Sequence, residues 1–208
     1  MENLPKNETE EKREKKLVAW SEKRGFSGDW EKLSTGYLND VGLNWDKLKN
    51  KKILEIGARY ADLADVAKTK GIDIISIERN PEALPNDHWG GQEISDDLQY
   101  VKGDIYHLPF KKESFDIIIS RAAPPIVPTL EVRQGKSIFR EIDSGRLKKI
   151  IEEINGVLKK NGKFHFGPIK PEYLEWFRKN IPGLQISKIN GSALGKNREV
   201  YWGLLEKE

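Results

Sequence analysis

A chain of 208 residues is long enough to bury a sizeable core, and one compact unit is its default organisation. Charged residues make up 33% of it, yet acids and bases nearly cancel to a net charge of +3, so charge alone does not mark a nucleic-acid partner. The absence of cysteine excludes disulfides, thiolate catalysis and cysteine-ligated metals, and the scattered His88, His107 and His165 make no metal-site spacing.

The first sixteen residues mix Lys6, Lys12, Arg13, Lys15 and Lys16 with five glutamates, the pattern of a solvated helix or tail. Nothing there has the apolar segment of a secretory signal, and no later stretch approaches roughly 18 uninterrupted apolar residues, so a cytoplasmic protein with no membrane partner is expected. Leu17-Val18-Ala19-Trp20 predicts the inner face of a helix from about Thr9 to Lys23. Glycines at 25, 28, 36 and 42, with Phe26, Trp30, Tyr37 and Trp45 between them, predict short helices packed as a lid. Residues 1–50 are therefore read as an N-terminal helical extension. Its aromatic side chains fill the gap between lid and core, with Tyr37 also a candidate for contact with a substrate.

From Lys52 the text alternates strand and helix. Lys52 to Ile56 predicts a strand, Asp62 to Lys70 a helix, and Ile72 to Ile77 a second strand of nearly continuous β-branched residues. Strands apolar on both faces suit a buried parallel sheet. Leu98 to Lys102 and Phe115 to Ser120 give the third and fourth strands, and residues 121–146 form a long inserted loop. A helical stripe at 147, 150, 151, 154, 157 and 158 stops at Asn161-Gly162, before a fifth strand from Lys163 to Phe166. Pro171 fits the first residue of a helix carrying Tyr173, Leu174, Phe177 and Ile181 on one face. Leu184 to Asn190 and Glu199 to Leu205 then read as two strands with no helix between them, which makes them antiparallel.

The predicted fold is α/β: a Rossmann-like three-layer sandwich over residues 51–208, whose mostly parallel seven-stranded sheet ends in an antiparallel C-terminal hairpin. Ile53-Leu54-Glu55-Ile56-Gly57, followed about fifty residues later by Gly103-Asp104, Leu108-Pro109-Phe110 and Ser114-Phe115-Asp116, resembles the nucleotide-binding half of class I S-adenosylmethionine-dependent methyltransferases. The resemblance covers residues 51 to 120 and extends to residues 147 to 166, where Leu158 to Lys163 is similar to the turn before strand five. It implies S-adenosylmethionine as cofactor and places Glu55 near the donor's amino-acid moiety. Glu78, about twenty residues after the glycine turn, is positioned to accept hydrogen bonds from ribose hydroxyls. Arg79 or Asn80 is expected near the adenine edge, Asp104 at the adenine amino group and Ile105 against the ring. Gly57 and Ala58 make the turn that lets a ligand approach the backbone, and Ser120 and Arg121 end the strand nearest the methyl group.

One departure stands out. Where the family carries a run of alternating glycines, this chain reads Gly57-Ala58-Arg59-Tyr60-Ala61, with one glycine kept and two lost. Arg59 either pairs with the donor's carboxylate or turns outward and leaves binding intact, or it fills the pocket. The candidate substrate contacts are Tyr37, Arg121, Arg133 and Arg140, the arginines set against Glu131, Glu141 and Asp143 as surface ion-pair partners. No catalytic base is assigned, because methyl transfer depends first on holding donor and acceptor in line. His107 is read as packing at the sheet edge or capping a turn, and His165 as facing one side of strand five. The leading reading is a methyltransferase acting on oxygen, nitrogen or carbon of a small or medium-sized acceptor. A catalytically silent binding or scaffold protein is the second. An RNA methyltransferase is the third, suggested by five lysines between 148 and 163 and by the similarity of Ser120-Arg121-Ala122-Ala123 to a ribosomal-RNA guanine methyltransferase group, but opposed by Glu152 and Glu153.

Overall fold

A computed structural model describes residues 30–58, 62–79, 99–121, 130–133, 136–139, 144–169, 171–188 and 201–208. The helix expected over Thr9 to Lys23 and the turn residues Arg59, Tyr60 and Ala61 lie outside these, as do Asn80 and Arg140. Two helices open the described chain, α1 (Trp30–Asn39) and α2 (Trp45–Leu48), the second capped by the Asn44 side chain accepting from the Lys47 N–H at 3.0 Å. The alternation then runs β1 (Ile53–Ile56), α3 (Asp62–Thr69), β2 (Ile74–Glu78), β3 (Gln99–Lys102) and β4 (Phe115–Arg121). A hairpin of β5 (Leu130–Arg133) and β6 (Lys136–Phe139) precedes α4 (Ser144–Val157), β7 (Leu158–Ile169), α5 (Leu174–Asn180), β8 (Gln185–Lys188) and β9 (Tyr201–Glu206).

The main sheet has seven strands in the order β3-β2-β1-β4-β7-β9-β8. The first five are parallel, and β9 pairs antiparallel with both β7 and β8. This is the expected architecture, with the last strand of the chain inserted inside the preceding one. Alternation along each strand divides the core into two layers. Leu54, Ile56, Ile77, Ile118, Phe164 and Phe166 face α4 and α5, where they meet Leu147, Ile150, Ile154 and Phe177. Ile53, Ile74, Ile117 and Ile119 face the other side, against Leu38, Val41 and Leu48 of the N-terminal segment and Leu63, Ala64 and Ala67 of α3.

Three local expectations are corrected. The strand after α4 begins at Leu158, and Asn161-Gly162 is an irregularity within it, not a helix-exit turn before it. Asn161 takes a left-handed backbone (φ 60°) and donates its N–H to the Lys207 carbonyl at 2.9 Å. Gly162 is needed there because a Cβ would lie 2.8 Å from the Lys159 carbonyl oxygen. Pro171 opens a single 3-10 turn, Pro171–Tyr173, and the α-helix starts only at Leu174. The segment expected as one long loop contains the β5-β6 hairpin, in which Arg133 stands opposite Lys136.

Where β9 crosses the Phe166 ring the sheet tolerates no side chain. A Cβ on Gly203 would sit 2.6 Å from Phe166 Cζ and 3.1 Å from Leu184 Cδ1, and Phe166 is fully buried. Gly203→Ala should therefore lower the unfolding free energy by about 1–2 kcal/mol through overpacking, read as a lower urea midpoint at unchanged m-value. An unchanged midpoint would mean that Phe166 has room to move aside.

Candidate active site

In an open parallel sheet the ligand site lies beyond the carboxyl ends of the strands, where the strand order reverses. Here β1 lies between β2 and β4, so the reversal falls between β1 and β4. Gly57 leaves β1 with φ 74°, a left-handed turn that favours glycine, and its N–H donates to the Ile77 carbonyl at 3.0 Å. Ala58 is buried at 7% exposure. The turn is thus tied to the end of β2 through its backbone.

Register places the acidic candidates side by side. Glu55 stands opposite Ser76 on β2 and Ile119 on β4, and Glu78 opposite Lys102 on β3. Glu55, Ser76, Glu78, Tyr100 and Arg121 are at alternate positions that share the face covered by α1 and α3. Glu55 is 2% exposed and accepts a hydrogen bond from Ser76 Oγ at 3.2 Å. Burial, followed by the nearby Glu78 and Glu55 charges, pushes the Tyr100 phenol well above its ordinary range. Glu78 is half-buried, and its Oε1 accepts from the Arg79 N–H at 2.8 Å.

Asp104 follows β3 with both oxygens engaged. Its Oδ1 accepts from the Tyr106 N–H at 3.0 Å, an Asx turn, and its Oδ2 lies 3.4 Å from Arg79 Nε. Arg79 and Asp104, expected at the two edges of an adenine, therefore meet each other. Ile105 is half-buried against the core. His107 is exposed, and its N–H donates to the Asp104 carbonyl at 2.9 Å, so its backbone closes the turn.

The fourth strand ends in a tight polar cluster. Ser120 is fully buried and faces the opposite layer, in register with Ile56 and Phe166. Arg121 turns to the α1 side and pairs with Asp40, Nη2 to Oδ2 at 3.2 Å. Its guanidinium carbon stands 5.2 Å over the Tyr37 ring. Burial, then the facing Glu55 carboxylate, holds the Tyr37 phenol well above its ordinary range. Burial also raises the Asp40 carboxyl, partly offset by Arg121.

Asp40, Ser76 and Tyr100 were not singled out in the sequence. Asp40 sits in Leu-Asn-Asp-Val-Gly, a string that reads as a helix exit, and only the fold brings it to Arg121 from 81 positions away. Ser76 and Tyr100 had a detectable signal, since each is a polar-tipped residue on the same strand face as a predicted acidic one. Among the described residues, no group of three or more histidines and acids is placed to hold a metal ion, and no helix is long and apolar enough to cross a membrane.

The profile of the methyltransferase domain family matches residues 54–166, more than half of the chain. The chain belongs to this family, the class I S-adenosylmethionine-dependent methyltransferases. Sarcosine/dimethylglycine N-methyltransferase of Aphanothece halophytica is 30% identical over 130 residues, covering 58% of this chain and 40% of that protein. Probable phthiotriol/phenolphthiotriol dimycocerosates methyltransferase 2 of Mycobacterium ulcerans (strain Agy99) is 26% identical over 137 residues, covering 62% and 44%. The chain thus spans less than half the length of either relative. Among solved structures, the N-methyltransferase NodS of Bradyrhizobium japonicum WM9 superposes with a TM-score of 0.51 at 15% identity, over 85% of this chain and 95% of that one. A TehB-like S-adenosylmethionine-dependent methyltransferase of Corynebacterium glutamicum gives 0.51 at 17% identity, over 91% and 99%. At such identities the likeness is one of fold.

The residues present fit the family's donor. Three carboxylates, Glu55, Glu78 and Asp104, lie at or just beyond the ends of three adjacent strands, next to a left-handed glycine turn. A nucleoside with ribose hydroxyls, an amino-bearing ring and an ammonium group offers donors to such a row.

Proposed function

We infer that this chain moves the methyl group of S-adenosylmethionine to a nucleophilic oxygen, nitrogen or carbon of a small or medium-sized acceptor. The observation that carries the reading is the row of carboxylates at the carboxyl ends of β1, β2 and β3, in a chain that belongs to the family. Glu78 would hold the ribose, Asp104 and Ile105 the adenine, Glu55 the donor's ammonium, and Arg79 the ring edge, with Gly57, Ala58 and Ser120 lining the turn and the far wall. The sulfonium supplies an activated methyl group, so the chain's own part is to hold the acceptor in line with it and exclude water. The name of one relative, a sarcosine/dimethylglycine N-methyltransferase, supports a small acceptor, and that of the other, a dimycocerosates methyltransferase, a lipid one. Residues 1–50 and 121–146, with Tyr37, Arg121, Arg133 and Arg140, are proposed to enclose it.

Titration calorimetry with S-adenosylmethionine and S-adenosylhomocysteine tests this reading, and saturable heat with both is expected. No heat from either, on folded protein, would favour the silent binding protein instead. An RNA acceptor is disfavoured by charge pairing in the basic stretch: Lys148 lies 4.0 Å from Glu152, Lys159 2.9 Å from Asp116 and Lys163 3.5 Å from Glu206. Any RNA association should accordingly be weak. Tight binding that falls steeply with added salt would reverse that order of readings.

A further inference from the structure

The two ends of the parallel strands differ in charge. Carboxylates gather at the carboxyl ends, and lysines gather at the amino ends. Lys51 and Lys52 lead into β1, Lys111 and Lys112 lie in the turn before β4, and Lys159, Lys160 and Lys163 open β7. Lys207 follows β9, which runs antiparallel to β7 and so finishes at the same end. Hydrogen bonds hold these four segments together. Asp116 Oδ2 accepts from the Lys52 N–H at 2.8 Å and from Lys159 Nζ at 2.9 Å, and Lys207 Nζ donates to the Leu158 carbonyl at 2.7 Å. The strands are neighbours in the order β1-β4-β7-β9, so the row is three strand spacings wide, about 14 Å.

Pairing leaves much of this charge open. Lys159 meets Asp116, Lys163 meets Glu206 at 3.5 Å and Lys207 meets Glu113 at 3.3 Å. Lys51, Lys52, Lys111, Lys112 and Lys160 are exposed and have no ion pair among the described residues. With Glu208 counted beside Glu113, Asp116 and Glu206, eight lysines stand against four acids. That surplus exceeds the net charge of +3 of the whole chain, so the remainder is slightly acidic. Before β2, Lys70 and Asp73 offset each other.

The row contains no arginine, and its ring, Phe115, is buried. RNA recognition draws on guanidinium forks and stacking rings, and protein interfaces are enriched in arginine and aromatics and depleted of lysine. An anionic lipid surface asks only for positive charges spread over an area, held within about a Debye length, ~8 Å, of the headgroups.

We propose that the amino end of the sheet, through Lys51, Lys52, Lys111, Lys112 and Lys160, docks reversibly on a bilayer surface bearing anionic lipids. Such contact needs no membrane-spanning helix, and none is present among the described residues. β4 spans seven residues, about 23 Å, so the crevice at its other end stays open to water while this face is docked. The docking does not depend on the methyltransferase reading.

The full chain is sedimented with vesicles of phosphatidylcholine alone or with about 30% phosphatidylserine added. At low salt the partition coefficient should be at least about tenfold higher on the anionic vesicles, and it should fall steeply as salt is added. Lys51→Gln/Lys52→Gln and Lys111→Gln/Lys112→Gln should each lower it about tenfold. Lys148→Gln/Lys149→Gln removes the same charge from the half of α4 farther from β7, and should change it less than about twofold because that charge lies beyond screening distance of the bilayer. Circular dichroism and urea midpoints verify that all three variants fold. Equal partitioning on the two vesicles overturns the proposal, and so does a loss in the α4 variant as large as in the other two. Tighter binding to polyuridylate or to polyglutamate than to vesicles of equal charge concentration, lost in the same two variants, also overturns it and hands the face to nucleic acid or to an acidic protein.

Discussion

Replacing Asp104 by Ala should weaken S-adenosylhomocysteine binding by about 1–3 kcal/mol, a five- to 150-fold rise in Kd. The carboxylate does two jobs. One oxygen anchors the turn after β3 through the Tyr106 N–H, and the other holds Arg79 beside it. Removing it deletes the acceptor proposed for the adenine amino group and also loosens the turn that aims it. The Arg79 contact by itself contributes little, because its side chain is 70% exposed and such pairs are screened by water. Arg79→Ala should accordingly change the folding stability by no more than about 0.5 kcal/mol, which urea unfolding measures. Asp104→Asn separates the two roles: its amide oxygen can still accept from Tyr106, while its NH2 group would face the adenine amino group, donor against donor. Nearly as large a loss in Asp104→Asn as in Asp104→Ala assigns the effect to the adenine contact. Calorimetry showing wild-type affinity in Asp104→Ala would place the purine elsewhere.

The parallel part of the fold was legible because burial on both faces forces long β-branched runs, and such runs have few other readings. Ile74 to Ile77 and Phe115 to Ile119 carry that pattern, and β2 and β4 lie within one or two residues of where it puts them. The acidic positions were legible for a related reason. A carboxylate at or near the end of an apolar strand interrupts a pattern, as Glu55 and Glu78 do, whereas Asp104 follows a polar strand and was marked by its Gly103-Asp104 turn. What escaped was non-local. Insertion of β9 between β7 and β8 is set by which partner edge each strand finds after the chain has turned back, and local periodicity carries no record of that. The ion pair of Asp40 with Arg121 is of the same kind. The β5-β6 hairpin escaped for a different reason. Its alternation, Leu130 and Val132 before Gln134-Gly135 and Ile138 after it, is present in the sequence but was overshadowed by the prolines and arginines around it. A two-residue connection ending in glycine between alternating runs is a hairpin signal.

The strand-five histidine ties the N-terminal segment to the sheet and should make the fold sensitive to acid. His165 is 4% exposed, stacks on Trp202 with ring centroids 5.6 Å apart, and places Nδ1 2.9 Å from the Val41 carbonyl oxygen. A carbonyl only accepts, so Nδ1 carries the proton and the neutral ring is a donor there. The same turn clasps Trp202 from below: Gly42 has φ 72°, and a Cβ on it would overlap the indole ring. Burial lowers the imidazole pKa from 6.5 to about 4; the Val41 hydrogen bond opposes that shift, and the Lys47 and Lys163 charges add to it. Above pH 6.5 the ring is neutral in both the folded and unfolded chain, and it imposes no penalty. As pH falls below that value the unfolded chain takes up a proton that the folded chain refuses until about pH 4. Stability should therefore decline across this window, by roughly 3 kcal/mol once the lower value is passed. His165→Phe keeps the stacking surface and cannot be protonated. It should cost about 1 kcal/mol at pH 7, where the Val41 carbonyl loses its donor. Its urea midpoint should then fall much less than that of the wild type between pH 7 and pH 4.5. Carboxylates that titrate in the same range act on both proteins, so the difference between the two curves isolates the imidazole. Parallel curves would mean that the ring takes up its proton in place, with the contact between Val41 and β7 no barrier to it.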